Sequence, residues 1–286
     1  MYKIVGKKFL TPSIALMDVE APRMAKSAKP GQFLIVRVHS KGERIPLTIC
    51  DYDRDKGTVT IVTQVVGASS RMICHMEEGD KFTDFAGPLG QPSEFIHASR
   101  EELSSKRFIF IAGGLGTAPV YPQVKYLHSM GAKIDVIIGA KNKDMVILEK
   151  EMGALCDNLY ICTDDGSYGR KGLVTEMLKE LLEKGEKYDQ AVAIGPMIMM
   201  KFVTLTAKPY NLPLLVSLNT LMVDGTGMCG ACRVTIGDEV KFACVDGPEF
   251  DAYKVDFDEA MRRQGMYKTV EKEADHKCKI GLRDEK

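Results

Sequence analysis

Residues 224–244, DGTGMCGACRVTIGDEVKFAC, place Asp224, Cys229, Cys232 and Cys244 with four, two and eleven residues between them. This is the plant-type 2Fe-2S ligand spacing, C-x4-C-x2-C…C, with an aspartate in the first cysteine's place. The predicted chemistry is one-electron transfer through a 2Fe-2S cluster. Two other readings stay open from the residues alone. One is a zinc ion held by three thiolates and a carboxylate; the other is three small buried hydrophobes beside an ordinary D-G turn. Gly225, Gly227 and Gly230 favour the cluster. A loop wrapped around an inorganic core needs close backbone approach and N–H groups aimed at sulfur. Cys50, Cys74, Cys156, Cys162 and Cys278 are scattered and read as structural, and the five histidines show no short metal spacing.

A second chemistry-bearing segment is FIAGGLGTAP at 110–119, which follows an apolar run and opens a helical one. A glycine-rich turn in that context holds a pyrophosphate against helix N–H groups. Pro119 stands where the last glycine of a full G-x-G-x-x-G would be, so the turn alone is a weak signal. The candidate nucleotide residues are Gly113, Gly114, Gly116 and Thr117, joined by Gly195 and Pro196 after a later strand. Ligands of open parallel sheets sit at the carboxyl ends of strands, where both turns belong. At TDDGSYGRKG (163–172), Asp164 and Asp165 suit a free ribose 2′-hydroxyl and repel a 2′-phosphate, which predicts NADH over NADPH. Arg170 and Lys171 oppose that prediction, since either offsets the acids.

The elements that must carry these segments follow from the hydrophobic pattern. Short apolar and β-branched runs separated by turns, such as 33–38, 58–66 and the turn GPLGQP at 87–92, predict an antiparallel β-barrel over residues 1–100. From 101 to 212 strands and helices alternate, with strands at 107–114, 133–140, 158–163 and 190–196 and helices at 118–131 and 172–185. This pattern predicts a parallel α/β nucleotide-binding domain, joined to the barrel by the linker 101–106. A small cluster-binding unit over 213–250 and a helix with a polar tail over 251–286 complete the chain. Lys plus Arg equals Asp plus Glu at 39 each, which gives no charge bias toward nucleic acid or an anionic membrane. No apolar run is long enough for a membrane span, and MYKIVGKKFL lacks a signal-peptide core. The expected location is the cytoplasm.

ERIPLTI at 43–49 combines a cation, a rigid proline and a small hydroxyl. With the barrel, the GGLGTAP turn and the later G-P pair in this order, residues 1 to about 210 resemble the ferredoxin–NADP reductase superfamily. The resemblance implies FAD held by Arg44, Pro46, Leu47 and Thr48, with Gly67, Ser69 and Ser70 of VGASS beside its diphosphate. GPLG at 87–90 resembles the turn that closes the barrel. The C-terminal cluster narrows the resemblance to electron-transfer subunits of two kinds. Those of FAD- and NAD-dependent dihydroorotate dehydrogenases are expected to use four cysteines. The small subunits of electron-bifurcating, NADH-dependent ferredoxin:NADP oxidoreductases use one aspartate and three cysteines, which Asp224 matches. That branch implies a heterodimer with a larger subunit carrying a second FAD and 4Fe-4S clusters, and ferredoxin reached only through the complex. The rival of another class is a redox-regulatory module with no catalysis. Hydride transfer requires no side-chain acid or base, and none is assigned.

Overall fold

The structure is a computed structural model that describes residues 2–279. Its first sheet is built from β1 (Tyr2–Thr11), β2 (Ile14–Glu20), β3 (Phe33–Arg37), β4 (Ile45–Asp53), β5 (Thr58–Gln64), β6 (Lys81–Phe82) and β7 (Asp84–Leu89). The order is β6-β1-β2-β5-β4-β3-β7 with antiparallel neighbours throughout. The two edge strands are consecutive in sequence, so the sheet curls into a nearly closed antiparallel barrel. Period-two alternation fills it: Ile4, Met17, Val19, Leu34, Val36, Val59 and Ile61 all point into one buried cluster. Two short helices, α1 (Pro22–Ser27) and α2 (Ala68–His75), cover its ends.

The linker is not extended. Ser99 caps a single helical turn, α3 (Arg100–Ser104), by accepting a bond from the Glu102 amide at 3.2 Å. The second sheet comprises β8 (Arg107–Gly113), β9 (Lys133–Ala140), β10 (Asn158–Thr163), β11 (Arg170–Lys171), β12 (Gln190–Ile194), β13 (Leu214–Ser217) and β16 (Glu249–Asp251). Its order, β11-β10-β9-β8-β12-β13-β16, is parallel except for the last pair. The chain turns outward in both directions from β8, so the strand order reverses between β8 and β12. Helices α4 (Thr117–Met130), α5 (Glu149–Gly153), α6 (Val174–Glu183) and α7 (Met197–Ala207) lie between these strands in sequence. β8 and β9 are buried along almost their whole length, as a sheet covered on both faces demands.

The cluster segment is an excursion from this second sheet. β13 leaves it, the hairpin β14 (Arg233–Ile236) and β15 (Glu239–Phe242) forms outside it, and β16 returns antiparallel with Ser217 opposite Glu249. α8 (Phe257–Gln264) and α9 (Lys268–Lys279) follow, and α9 reaches back to the barrel, where Asp275 pairs with Arg71 of α2 at 3.0 Å. One hydrophobic cluster joins all three parts, running from Phe33 and Ile35 through Cys232, Val234 and Cys244 to Val203 and Phe257. Among the described residues no helix is long and apolar enough to cross a membrane.

Beneath the second sheet, Asp135 is fully buried and accepts bonds from Arg107 (2.6 Å), Tyr188 (2.8 Å) and Asn158 (2.8 Å). Removing the carboxylate takes the acceptor from three donors, of which the Arg107 cation keeps Glu186 as a partner. Asp135→Ala is expected to cost about 3 kcal/mol and Tyr188→Phe about 1 kcal/mol. Urea titration checks this as a lowered midpoint at unchanged slope.

Candidate functional site

The candidate cluster loop is held in shape by glycines. Gly225, Gly227 and Gly230 have φ of 84°, 86° and 67°, a backbone region costly for other residues. Gly225 also lies flat on the barrel: a Cβ there would sit 2.6 Å from Ile35 Cδ1 and 2.8 Å from Leu89 Cδ1. Cys232 and Cys244 are buried with their sulfurs 3.2 Å apart, whereas Cys229 is exposed. Asp224 Oδ2 accepts from the Thr226 hydroxyl (2.6 Å), the Thr226 amide (2.9 Å) and the Met228 amide (3.3 Å). The Thr226 hydroxyl, then its amide, hold the Asp224 carboxyl below the usual range. Backbone N–H bonding, first from Ala231, lowers the Cys229 thiol, while burial and the Cys232 contact push Cys244 up to about 12.

Among the described residues no three His, Cys, Asp or Glu side chains converge on one point as a single metal ion requires. A two-iron centre takes its protein ligands in two pairs, and Cys232 with Cys244 supplies one such pair. Asp224 and Cys229 lie on the same loop, four residues of which separate them. The residues present fit a 2Fe-2S group, with backbone N–H groups already turned toward Cys229.

Arg44 precedes β4 and reaches the cluster loop. Its Nε donates to Val223 O (3.0 Å), its Nη2 to Asp224 O (3.5 Å) and its Nη1 to Asp84 (3.1 Å). Residues 44–48, which include Pro46, Leu47 and Thr48, are half-buried, whereas Ile49 and Cys50 beyond them are buried. Gly67 opens α2 with no atom within 4 Å of where a Cβ would stand, so a ligand can approach the backbone there closely. Ser70 Oγ is spent on this turn, accepting from the amides of Val66 (2.9 Å) and Gly67 (3.0 Å). Ser69 donates to Glu43. The open backbone at Gly67 leaves room for a phosphate of a flavin nucleotide, while both serine hydroxyls are engaged within the protein. A cleft of about 290 Å³ also opens between the barrel's closing turn and the cluster loop, lined by Gly90, Gln91, Thr226 and Cys244.

On the second sheet the two glycine turns meet. A Cβ on Gly116 would run into Ile194 O, and one on Gly195 would lie 3.1 Å from Gly113 Cα. The carboxyl ends of β8 and β12 thus touch at the reversal of strand order. Thr117 Oγ1 donates to Gly114 O (3.0 Å), Gly114 faces open space, and Pro196 is exposed. Asp164 and Asp165 are exposed at the end of β10, two strands away.

Comparison with known proteins matches residues 110–204 to an oxidoreductase NAD-binding domain. Residues 219–256 match the iron-sulfur cluster binding domain of dihydroorotate dehydrogenase B. The chain is 62% identical over 275 residues to an uncharacterised protein in the adh 3′ region of Clostridium beijerinckii, covering 96% of this chain and 93% of that one. It is 43% identical over 270 residues to a Thermotoga maritima dihydroorotate dehydrogenase B (NAD(+)) electron transfer subunit homolog, covering 94% and 93%. The chain belongs to this family of electron-transfer subunits and their homologues. A solved chain of NADH-dependent reduced ferredoxin-NADP oxidoreductase, a structure bearing on flavin-based electron bifurcation, matches with TM-score 0.90 at 41% identity over 99% of this chain and 98% of that one.

A polar network in this electron-transfer subunit carries no sequence signal. Glu249 Oε1 accepts from Ser93 (2.9 Å) after the barrel and from Gln123 (2.8 Å) on α4, and Oε2 is buried without a donor. It fastens the return of the cluster segment to both larger parts. Nothing local marks it, because its partners are 156 and 126 residues away in sequence.

Burial pushes the Glu249 carboxyl up to about 7, against the opposing bonds from Ser93 and Gln123. The residue as a whole is half-buried, but its carboxylate is enclosed. With the folded value above the unfolded one, its contribution is complete below about pH 4 and is lost as pH rises through about 7. Stability is expected to fall by about 3 kcal/mol across that window. Glu249→Gln should flatten the slope and raise the urea midpoint at pH 8, read by denaturation at a series of pH values.

Proposed function

We propose that this chain is the NADH-exchanging subunit of an electron-bifurcating ferredoxin:NADP oxidoreductase. It holds FAD and a 2Fe-2S cluster and passes single electrons to a larger flavin and iron-sulfur subunit. The observation that carries the reading is Asp224 at the head of the ligand spacing, in a chain 41% identical over nearly its full length to one from the NADH-dependent reduced ferredoxin-NADP oxidoreductase. A second reading, as partner of a dihydroorotate dehydrogenase, is favoured by the name of the matched cluster domain and of the Thermotoga maritima relative. It lacks an account of the aspartate.

In the proposed arrangement Gly113, Gly114, Gly116 and Thr117 receive the pyrophosphate of NAD(H), and Gly195 and Pro196 border the nicotinamide. Arg44, Pro46, Leu47, Thr48, Gly67, Ser69 and Ser70 hold FAD. Asp224, Cys229, Cys232 and Cys244 ligate the cluster. When bound, the flavin supplies conversion between two-electron hydride exchange and the one-electron steps of the cluster. The chain's own work is to orient and insulate. The close approach of Gly113 and Gly195 supports the proposed position of a nicotinamide, and Arg44 joins the cluster loop to the proposed flavin-binding strand by two carbonyl bonds. The expected setting is the cytoplasm, in a heterodimer. This chain's second glycine turn and its four proposed ligands account for one nucleotide site and one cluster, so bifurcation itself belongs to the complex.

Metal and flavin counting of the purified chain should give about two irons and about one FAD. Cys244→Ala is expected to lose the iron and its visible absorption while retaining flavin. Asp224→Cys should change the cluster's potential and spectrum, and an unchanged potential would remove Asp224 from the ligand set. NADH should reduce the bound flavin much faster than NADPH in stopped-flow absorption. Isolation of the native complex with a dihydroorotate-oxidising subunit instead of a 4Fe-4S flavoprotein would favour the second reading.

A further inference from the structure

The loop after β10 carries both signs of charge beside the proposed nucleotide edge. Asp164 and Asp165 are exposed, and Arg170, on β11, lies in register with Cys162 of β10. A guanidinium there is the group best suited to grip a ribose 2′-phosphate, through paired parallel N–H bonds. Its Nη1 is instead engaged by Glu180 of α6 and lies 3.9 Å from Met177 Sδ. Glu180 is itself anchored, its other oxygen accepting from Lys184 at 2.8 Å. Of the neighbouring cations, Lys143 Nζ lies 5.4 Å from the Tyr168 ring centroid, whereas Lys171 is exposed.

We propose that Glu180 is a specificity-determining residue: it pairs Arg170 on the helix side, withholds that guanidinium from a 2′-phosphate, and adds its own negative charge against one. The inference rests on reading this edge as the NAD(H) site. Asp165 contributes differently. Its Oδ1 accepts from the Ser167 amide at 2.9 Å, so it shapes the turn while repelling a phosphate. Selectivity thus has two parts, an exposed acid pair and a neutralised base. Neither is complete without the other, because a free Arg170 would cancel one of the acids.

The test uses the flavin- and cluster-loaded protein and the fragments 2′,5′-ADP and 5′-ADP, titrated by calorimetry. Glu180→Gln is expected to tighten 2′,5′-ADP by about fivefold, the size of gain that suits release of a cation from one partly exposed ion pair, with 5′-ADP unchanged within about twofold. NADPH-driven flavin reduction at subsaturating nucleotide should rise by a similar factor. Adding Arg170→Ala should abolish both gains. Unchanged 2′,5′-ADP affinity in Glu180→Gln, or a gain that survives Arg170→Ala, overturns the proposal while leaving the site intact. Failure of wild type to bind 5′-ADP overturns the nucleotide reading and this proposal with it.

Discussion

The contact of Gly225 with Ile35 and Leu89 sets the relation between the cluster loop and everything else. Ile35 lies on β3, and its cross-strand partner is Pro46 of the R-x-P-L-T segment on β4. The cluster loop and the proposed flavin-binding strand therefore share one wall of the barrel. A Cβ at 225 would lie under 3.0 Å from the side-chain tips of both, so each tip would have to move. Arg44 tightens the same seam from the flavin side, with Asp84 holding its other nitrogen. Proximity of the two proposed redox sites is thus built into packing.

Much of the fold is legible in the sequence because its determinants are local. β9 and β10 span the predicted 133–140 and 158–163, where uninterrupted apolar runs are bounded by turns. The spacing of Asp224, Cys229, Cys232 and Cys244 is equally local, as is the glycine content that shapes their loop. What stays hidden depends on distant pairs. The EELSSK stretch reads as linker because its helix is one turn long and rests on a Ser99 cap. The return of β16 to the second sheet is three residues long, too short for periodicity to reveal. Arg44 reads as a phosphate ligand by motif, yet part of its bonding goes to carbonyls about 180 positions away, which no local pattern encodes.

Charge composition illustrates the same limit at the nucleotide edge. Within residues 163–172 two acids favour a free ribose 2′-hydroxyl and two bases weaken that preference. In the proposed site, partner choice sets one of those bases, Arg170, aside. α6 delivers Glu180 to Arg170 because the helix packs on β9 and β10 with Leu178, Leu181 and Leu182 inward, which leaves Glu180 on the flank nearest β11. On the proposed reading, the apolar stripe of α6 turns Arg170 away from the nucleotide edge, and a core-packing constraint becomes a ligand-selection constraint.

The four proposed ligands differ in exposure in a way that bears on the aspartate. Cys232 and Cys244 are sealed within the shared hydrophobic cluster, each 1% exposed, while Cys229 is open and neighbouring Met228 is 87% exposed. A centre held there has a dry side against the second sheet and a wet side toward solvent or a partner. Asp224 belongs to the wet side, where its carboxylate is already ionised and bonded by Thr226 and Met228. A charged oxygen donor is costly to desolvate, so a carboxylate is tolerable at this end of the loop and would be expensive beside Cys244. Solvent exposure and hydrogen bonding to ligands both tune iron-sulfur potentials. In the proposed ligand set, the position of the oxygen ligand and the direction in which the cluster faces outward are therefore coupled: the loop end that carries Asp224 is also the one exposed beside Cys229 and Met228.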